Sequence, residues 1–193
     1  VFKTSADPFV GKLSYFRVYG ETLNSNAQLW NANKGESERV GQVYQPVGKE
    51  TEGVDSVVRG DIGVISRLNH TETFDTLCDK ANGIKLGGVD LPIPVFALAV
   101  TPAAQSDLDK MAESLTRMTE EDPTLEIERN ADTSETVLHG LGDIHVDLAI
   151  ERIARKFDVN LETALPSIPY RETIGGQTSV SYKHRKQSGG RGQ

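Results

Sequence analysis

Hydrophobic residues recur at two different periods along the chain, and the change of period divides it. From residue 1 to about residue 85, short runs alternate between apolar and polar positions, with Asn, Gly and Pro between them. This alternation is typical of short β-strands in a small barrel or sandwich. Closure into a barrel would leave no unpaired strand edges, so a β-barrel is predicted. The predicted strands are residues 1–4, 13–19, 27–30, 39–44, 56–58 and 61–65.

The second half changes to strands alternating with helices. Residues 95–100 form an uninterrupted apolar run, which is typical of a strand in the middle of a sheet. A helical stripe of Leu108, Met111, Leu115 and Met118 follows, and the helix must end before Pro123. Two predicted strands, a second helix and a last strand complete a β-α-β-β-α-β order. That order predicts a ferredoxin-like α+β sandwich. These later elements are residues 125–128, 136–139, 143–157 and 159–162.

The second helix follows a Gly-x-Gly turn, a combination that raises the possibility of nucleotide binding. Dinucleotide-binding turns carry a third glycine for close helix–strand packing, but this chain has His145 there. Asp143 places a carboxylate where a pyrophosphate would sit, and like charges repel. The glycines are therefore interpreted as a sharp turn. The helix itself shows one apolar face, formed by Val146, Ala149, Ile150, Ile153 and Phe157.

Glycine and proline clusters predict the domain boundaries. A β-barrel domain is predicted at 1–88, an α+β domain at 89–170, and a basic glycine-rich tail at 171–193. The net charge of −7 is uneven, because the segment from Arg171 onward carries +4 and the rest −11. An acidic body repels nucleic acid, so any RNA contact must be local or come from the tail.

Composition narrows the setting of the protein. At 37% hydrophobic and 25% charged residues, the chain is typical of soluble globular domains. No apolar run approaches the roughly 20 residues that a membrane helix needs, and the start has no basic and apolar leader pattern, so neither a membrane span nor a signal peptide is predicted. The single cysteine, Cys78, cannot form an internal disulfide, which favours a reducing, cytoplasmic setting. The start without Met indicates a fragment, and we expect it to be monomeric.

The side chains that carry chemistry are sparse and scattered. His139 and His145 flank the glycine turn without the Cys or carboxylate spacing of a metal site. No P-loop and no nucleophile elbow occur. The run 120–122 (EED) is interpreted as a solvated helix end. We therefore predict no catalytic, cofactor-binding or metal-binding residue, and the residues alone indicate a two-domain binding module with a basic tail.

Four short motifs lie in the first half of the chain, at residues 7–12 (DPFVGK), 16–19 (FRVY), 60–62 (GDI) and 75–79 (DTLCD). Three more lie at 120–124 (EEDPT), 140–146 (GLGDIHV) and 169–174 (PYRETI), and a last one lies at 186–193 (KQSGGRGQ). Together they resemble bacterial elongation factor G, in the family's order. The first four resemble its second domain, the next three its third domain, and the last one the first loop of its fourth domain.

The resemblance implies a Greek-key β-barrel, a ferredoxin-like third domain, and a role in tRNA–mRNA translocation on the ribosome. The barrel would brace on ribosomal RNA and small-subunit proteins. Coupling to the protein's own GTPase domain, which would hold GTP and magnesium, would pass through Gly140, Gly142, Asp143 and His145. The loop that would reach the tRNA–mRNA complex at the decoding centre is Gln187, Ser188, Gly189, Gly190, Arg191, Gly192 and Gln193.

Alternatives within and outside the family stay open. The family usually has Gly-Glu-Leu-His-Leu where this chain has Gly142 to Val146, and Ser-Gly where Gly20 and Glu21 stand. These departures resemble divergent second copies of the factor, and a ribosomal protection protein is a further alternative. Outside the family, the alternatives are a free-standing RNA-binding module and an enzyme that uses a nucleotide at the glycine turn.

Overall fold

The computed structural model describes residues 1–7, 10–48 and 50–183, in which two units each have their own core. The first unit is built of strands joined by tight turns. Its strands are β1 (Lys3–Asp7), β2 (Gly11–Arg17), β3 (Leu23–Asn24), β4 (Gln28–Asn31), β5 (Glu36–Arg39), β6 (Val43–Val47), β7 (Glu50–Val54), β8 (Ser56–Val57), β9 (Ile62–Ser66) and β10 (Leu77–Cys78). A short 3₁₀ helix follows at Lys80–Asn82.

These strands form a barrel-like set of antiparallel sheets. A five-stranded sheet has the order β1-β2-β9-β6-β7, and β10-β4-β5 and β3-β8 complete the unit. The register of β2 against β9 runs from Leu13 opposite Ser66 to Arg17 opposite Ile62. Alternation along β2 turns Ser14 and Phe16 inward, and both are buried. Within the described residues, the Ser14 hydroxyl has no hydrogen-bond partner.

One predicted strand proved wrong. The run 39–44 is two strands in different sheets, because β5 ends at Arg39 and β6 begins at Val43. Val40 and Val43 are both fully buried. Their odd separation places them on opposite faces of one continuous strand, so the chain must turn between them to bury both. The edge strand β7, which is rich in polar residues, was missed altogether.

The second unit is an α+β sandwich. Its elements are β11 (Phe96–Pro102), α1 (Leu108–Glu121), β12 (Glu126–Arg129), β13 (Thr136–Gly140), α2 (Asp143–Phe157) and β14 (Leu161–Ala164). The strand order is β12-β13-β11-β14, with every pair antiparallel. That order and the two helices confirm the predicted ferredoxin-like arrangement. Together the two units confirm the predicted fold class.

The core of the sandwich lies between the helices and one face of the sheet. Most residues of both predicted helical stripes are buried there; Ile150 and Phe157 are half-buried against this core, and Leu108 is 46% exposed at the start of α1. The buried cluster consists of Val100, Met111, Leu115, Met118, Leu125, Leu138, Val146, Ala149, Ile153 and Val159. The methionines therefore fill the core, as the sequence predicted.

The segment between the units, residues 83–95, forms no helix or strand and is mostly exposed. No helix in the described part of the chain is long and apolar enough to cross a bilayer.

Candidate functional site: the end of helix α1 and its two neighbours

The glycine turn between β13 and α2 is built around Gly140. A Cβ atom at this position would lie 2.7 Å from Val146 Cγ2 and 3.2 Å from His145 Nδ1. Gly142 has open space around the corresponding position and an extended φ of −177°. Close packing therefore requires glycine at 140, whereas nothing in the surroundings of Gly142 requires it.

His145 ties this turn to the end of α1. Its Nδ1 accepts a hydrogen bond of 3.0 Å from the Leu141 N–H, and its Nε2 lies 3.1 Å from Asp122 Oδ2. A ring nitrogen that accepts cannot carry the proton, so Nε2 is the donor to the carboxylate. The imidazole therefore joins the first turn of α2 to the residue that follows α1.

Asp122 is held in its charged form at this contact. Burial acts to raise its pKa, but hydrogen bonds from the Thr124 hydroxyl, the Thr124 N–H and His145 outweigh it and lower the pKa below its usual value. The two Thr124 bonds measure 2.6 and 3.0 Å. Asp122 is therefore an anion that receives three donors from its own unit.

Asp143 does not belong to this cluster. Its carboxylate accepts a bond of 2.8 Å from the Ile144 N–H, and the residue is exposed in the first turn of α2. Three apolar side chains of the same turn and helix are also exposed: Leu141 at 38%, Ile144 at 69% and Leu148 at 45%. Of the four residues assigned to coupling, the structure brings Gly140 and His145 together and leaves Asp143 at the surface.

Glu121, one residue before Asp122, faces the barrel instead. Its Oε2 lies 2.6 Å from Lys156 Nζ at the end of α2 and accepts a bond of 3.1 Å from the Ala6 N–H in β1. Only 7% of Glu121 is exposed, so the predicted solvated helix end is wrong at this residue. Glu120, next to it, pairs with Lys12 of the barrel at 3.4 Å.

The backbone of Glu121 is also engaged. Lys3 Nζ donates a bond of 2.9 Å to the Glu121 carbonyl at the carboxyl end of α1. A cation suits that end of a helix because the last carbonyls carry partial negative charge. The same electrostatics could have indicated the buried role of Glu121 from the sequence. A glutamate in the last turn of a helix is unfavourable beside the helix dipole unless a cation accompanies it, so a basic partner was to be expected.

The predicted loop and the histidine that was rejected as a metal ligand remain to be placed. The loop Gln187–Gln193 lies outside the described residues. His139 is half-buried in β13; its Nε2 atom is buried and, within the described residues, has no hydrogen-bond partner, although Glu128 Oε2 lies 3.3 Å away. Among residues 1–7, 10–48 and 50–183, no group of three or more potential metal ligands comes together.

Comparison with known proteins gives matches for both units. Residues 1–80 match the family described as Elongation factor G domain 2, and residues 91–165 match Elongation Factor G, domain III. A crystal structure of a Thermus thermophilus protein superposes with a TM-score of 0.72 at 28% sequence identity. The match covers 88% of this chain and 26% of that one, so this chain spans about a quarter of the length of that protein.

Proposed function

Because the chain belongs to the elongation factor G family, we propose that it is the middle part of a cytoplasmic translational GTPase that drives tRNA–mRNA movement on the ribosome. In this proposal the GTPase domain, with GTP and magnesium, precedes the barrel, and the tail leads into the fourth domain. The two described units supply a mechanical connection and leave the bond-breaking chemistry to the GTPase domain.

The observation that carries the proposal is the pair of family domains in family order, joined by direct contacts. Lys3, Ala6 and Lys12 of the barrel all meet the last turn of α1. A displacement of the barrel would therefore press on the same helix end that His145 links to the glycine turn through Asp122. Such a chain of contacts supports a role in passing movement between neighbouring domains.

The uneven charge of the chain supports different ribosomal contacts for the tail and for the barrel. The segment before Arg171 carries −11 and the tail +4, so the tail suits contact with the tRNA–mRNA complex. Arg191 suits phosphate because its guanidinium is always charged and offers a planar set of donors. The barrel would then rest on ribosomal RNA through local contacts, with small-subunit proteins beside it.

The test uses the full-length parent protein with Arg191→Ala and Asp143→Ala. Arg191→Ala is expected to slow translocation, measured by fluorescent mRNA movement, while ribosome-stimulated GTP hydrolysis stays near wild type. Asp143→Ala is expected to weaken the coupling of hydrolysis to movement, because its carboxylate is exposed at the turn. Equal loss of hydrolysis and movement in the Arg191→Ala protein contradicts the role given to the tail.

Each alternative predicts a different result, in these assays or in a binding measurement. A divergent second copy would bind ribosomes and hydrolyse GTP without moving mRNA, and a ribosomal protection protein would release tetracycline instead. A free-standing RNA-binding module predicts that this chain alone binds ribosomal RNA at moderate salt. An enzyme at the glycine turn predicts binding of NAD or GTP in equilibrium dialysis with this chain.

A further inference from the structure

The chain leaves the sandwich through residues 165–171, the exit segment, whose first part crosses the sheet. Strand β14 ends at Ala164, which pairs with Ala99 of β11, while Ser167 bonds to Glu135 just before β13. In the sheet, β13 lies beyond β11, two strand spacings or about 9.6 Å from β14. Three extended residues span about 10 Å, so the exit segment has little slack between Ala164 and Ser167.

Two buried residues indicate which face of the sheet the exit segment crosses. Ala99 and Val137 each stand next to a residue of the core beneath the helices, so alternation turns them to the other face. Both are nevertheless only 5% exposed. Pro166 is half-buried, although the residues on either side of it are exposed. These exposures fit a chain that runs across the face of the sheet away from the helices.

Hydrophobic burial does not hold the exit segment in this position. Its large apolar side chains lie mostly in solvent, with Leu165 82% exposed, Ile168 69% and Tyr170 88%. An apolar side chain that stays in water contributes no transfer free energy to folding. The polar contacts of the segment therefore decide where it lies.

Glu135 makes these contacts from the hairpin that joins β12 to β13. Its Oε1 accepts a bond of 2.7 Å from the Ser167 hydroxyl, and its Oε2 accepts one of 3.0 Å from the Ser167 N–H. The Thr133 hydroxyl donates to the same Oε2 at 3.0 Å. Asn130 orders the turn itself, because its side-chain oxygen accepts the N–H groups of Asp132 and Thr133. The hairpin thus holds the carboxylate in place for two bonds to one residue.

The bonds between Glu135 and Ser167 involve a charged acceptor. The Ser167 hydroxyl and N–H lower the pKa of Glu135 below its usual value, so the carboxylate is ionised at neutral pH. Hydrogen bonds to an ionised acceptor are stronger than those between neutral groups. A second contact joins Arg171 to Asp132 at 2.8 Å, but both side chains are exposed, and such ion pairs contribute little.

We propose that Glu135 is a positioning residue that fastens the exit segment at Ser167, so that movement of the following chain starts there and not at the end of β14. Its two bonds to Ser167 are the clip. Unlike Glu121, which reaches the barrel at the junction of the two units, Glu135 bonds within the sandwich and the segment that leaves it. The clip is a property of this chain, whereas its use in directing the tail toward the tRNA–mRNA complex rests on the proposed function.

The position of the exit segment is measured in this chain by double electron–electron resonance. Spin labels go on Asp147→Cys in α2 and Ile168→Cys, both exposed positions, in a Cys78→Ser background. The clipped segment is expected to give one narrow distance distribution. Glu135→Ala removes both acceptor oxygens and lets the chain move from Ala164 onward. The distribution is expected to widen about twofold, because the width grows as the square root of a free length that rises about fourfold.

Two further variants make the outcome decisive. Glu162→Ala removes a carboxylate from an exposed position in β14 and is expected to leave the distribution narrow. Ser167→Ala removes the hydroxyl but keeps the N–H, so a smaller widening is expected, and none at all counts against the clip. A narrow distribution in Glu135→Ala, or equal widening in Glu162→Ala, overturns the proposal.

Hydrogen exchange distinguishes release of the exit segment from loosening of the sheet. In Glu135→Ala the Ser167 amide is expected to exchange about tenfold faster, because its acceptor is gone, while the Leu138 amide within β13 stays protected. Equal acceleration at both amides indicates a general defect of the hairpin and counts against a positioning role.

A final measurement separates the clip from the function. In the full-length parent, Glu135→Ala is expected to keep the KM and kcat of ribosome-stimulated GTP hydrolysis and to slow movement of mRNA. A widened distance distribution with unchanged movement leaves the clip in place and counts against the proposed function alone.

Discussion

Glu121 and Asp122 are consecutive carboxylates at the end of α1, yet they join different parts of the molecule. Asp122 receives its donors from Thr124 and His145 within the sandwich, and these bonds span at most 23 residues of sequence. Glu121 receives the Ala6 N–H across 115 residues, together with Lys156. At this one helix end, the Asp122 side chain therefore bonds only within the sandwich, whereas the Glu121 side chain also bonds to the barrel.

The contacts of Asp122 and those of Glu121 can be tested separately, because the unfolding of each unit has its own spectroscopic probe. Trp30, the single tryptophan of the chain, lies in β4 of the barrel. Both α-helices of the described residues lie in the sandwich, so circular dichroism at the helical wavelength follows that unit. A change that breaks only the sandwich connection should move the dichroism curve alone. A change at the junction should move both curves.

The largest effect is expected from Lys156→Met. It leaves the Glu121 carboxylate nearly buried without its cation, which should cost about 2 kcal/mol of unfolding free energy. Urea titration followed by Trp30 fluorescence and helical dichroism is expected to show both midpoints lowered. The matched control is Lys12→Met, at the partly exposed pair with Glu120. An unchanged fluorescence midpoint in Lys156→Met would show that the junction does not link the two units.

A somewhat smaller loss is expected from His145→Ala. The change leaves the Leu141 N–H and Asp122 without the partner that they now have at 3.0 and 3.1 Å, which should cost about 1.5 kcal/mol. Only the dichroism midpoint is expected to fall, because the bonds of His145 stay within the sandwich. His139→Ala, in strand β13 of the same unit, serves as control. A parallel fall of the fluorescence midpoint would contradict the separation of the two connections.

Acid should weaken the Asp122 connection in a predictable direction. The pKa of Asp122 is lowered on folding, so its charged form stabilises the sandwich above the unfolded pKa of about 3.9. That contribution is lost as pH falls through the folded pKa. Compared with Asp122→Asn, the native sandwich is expected to be about 1 kcal/mol more stable at pH 6, and the difference is expected to shrink as the pH falls through the folded pKa.

The pH comparison is read from helical dichroism for a specific reason. Glu38 in the barrel also has a lowered pKa, because hydrogen bonds from Thr71 and the backbone at Asn69 and His70 outweigh its burial. Fluorescence of Trp30 therefore reports the acid loss of the barrel instead. A constant difference between native chain and Asp122→Asn from pH 6 to pH 2 would contradict the charged state assigned to Asp122.

The smallest effect is expected from Glu120→Gln. Its ion pair with Lys12 is long and partly exposed, and such pairs contribute about 0.3 kcal/mol. Both midpoints should stay within error of the native chain. A loss comparable to that of Lys156→Met would place the main junction contact at Glu120 rather than Glu121.

Most helices and strands could be predicted from the local period of the hydrophobic residues. The apolar stripe of α2 lies in the core with Val146 and Ile153 fully buried, because a helical period needs no knowledge of distant residues. The strand predicted at 39–44 was wrong because β5 ends at Arg39 in one sheet and β6 begins at Val43 in another, and sheet membership depends on partners elsewhere in the chain. The boundaries at 88 and 170 and the coupling roles of Gly140, Gly142, Asp143 and His145 stay predictions.

The junction could not be predicted for the same reason. Sequence alone suggested solvent for the carboxylates of α1, since charged residues at a helix end usually face water. The partners of Glu121 lie 35 and 115 residues away in the chain. Only the arrangement of three separate elements brings them together. Asp122 could have been suspected earlier, because Thr124 two residues later is a common local donor.

The barrel also contains one buried hydroxyl group that lowers its stability. Ser14 is fully buried, and within the described residues its hydroxyl oxygen has no partner. An alanine there would fill almost the same volume without an oxygen that had to give up water on folding. Natural selection has thus left this domain below the stability that its fold allows. The change Ser14→Ala is expected to raise the melting temperature of the barrel without altering its contacts with the sandwich.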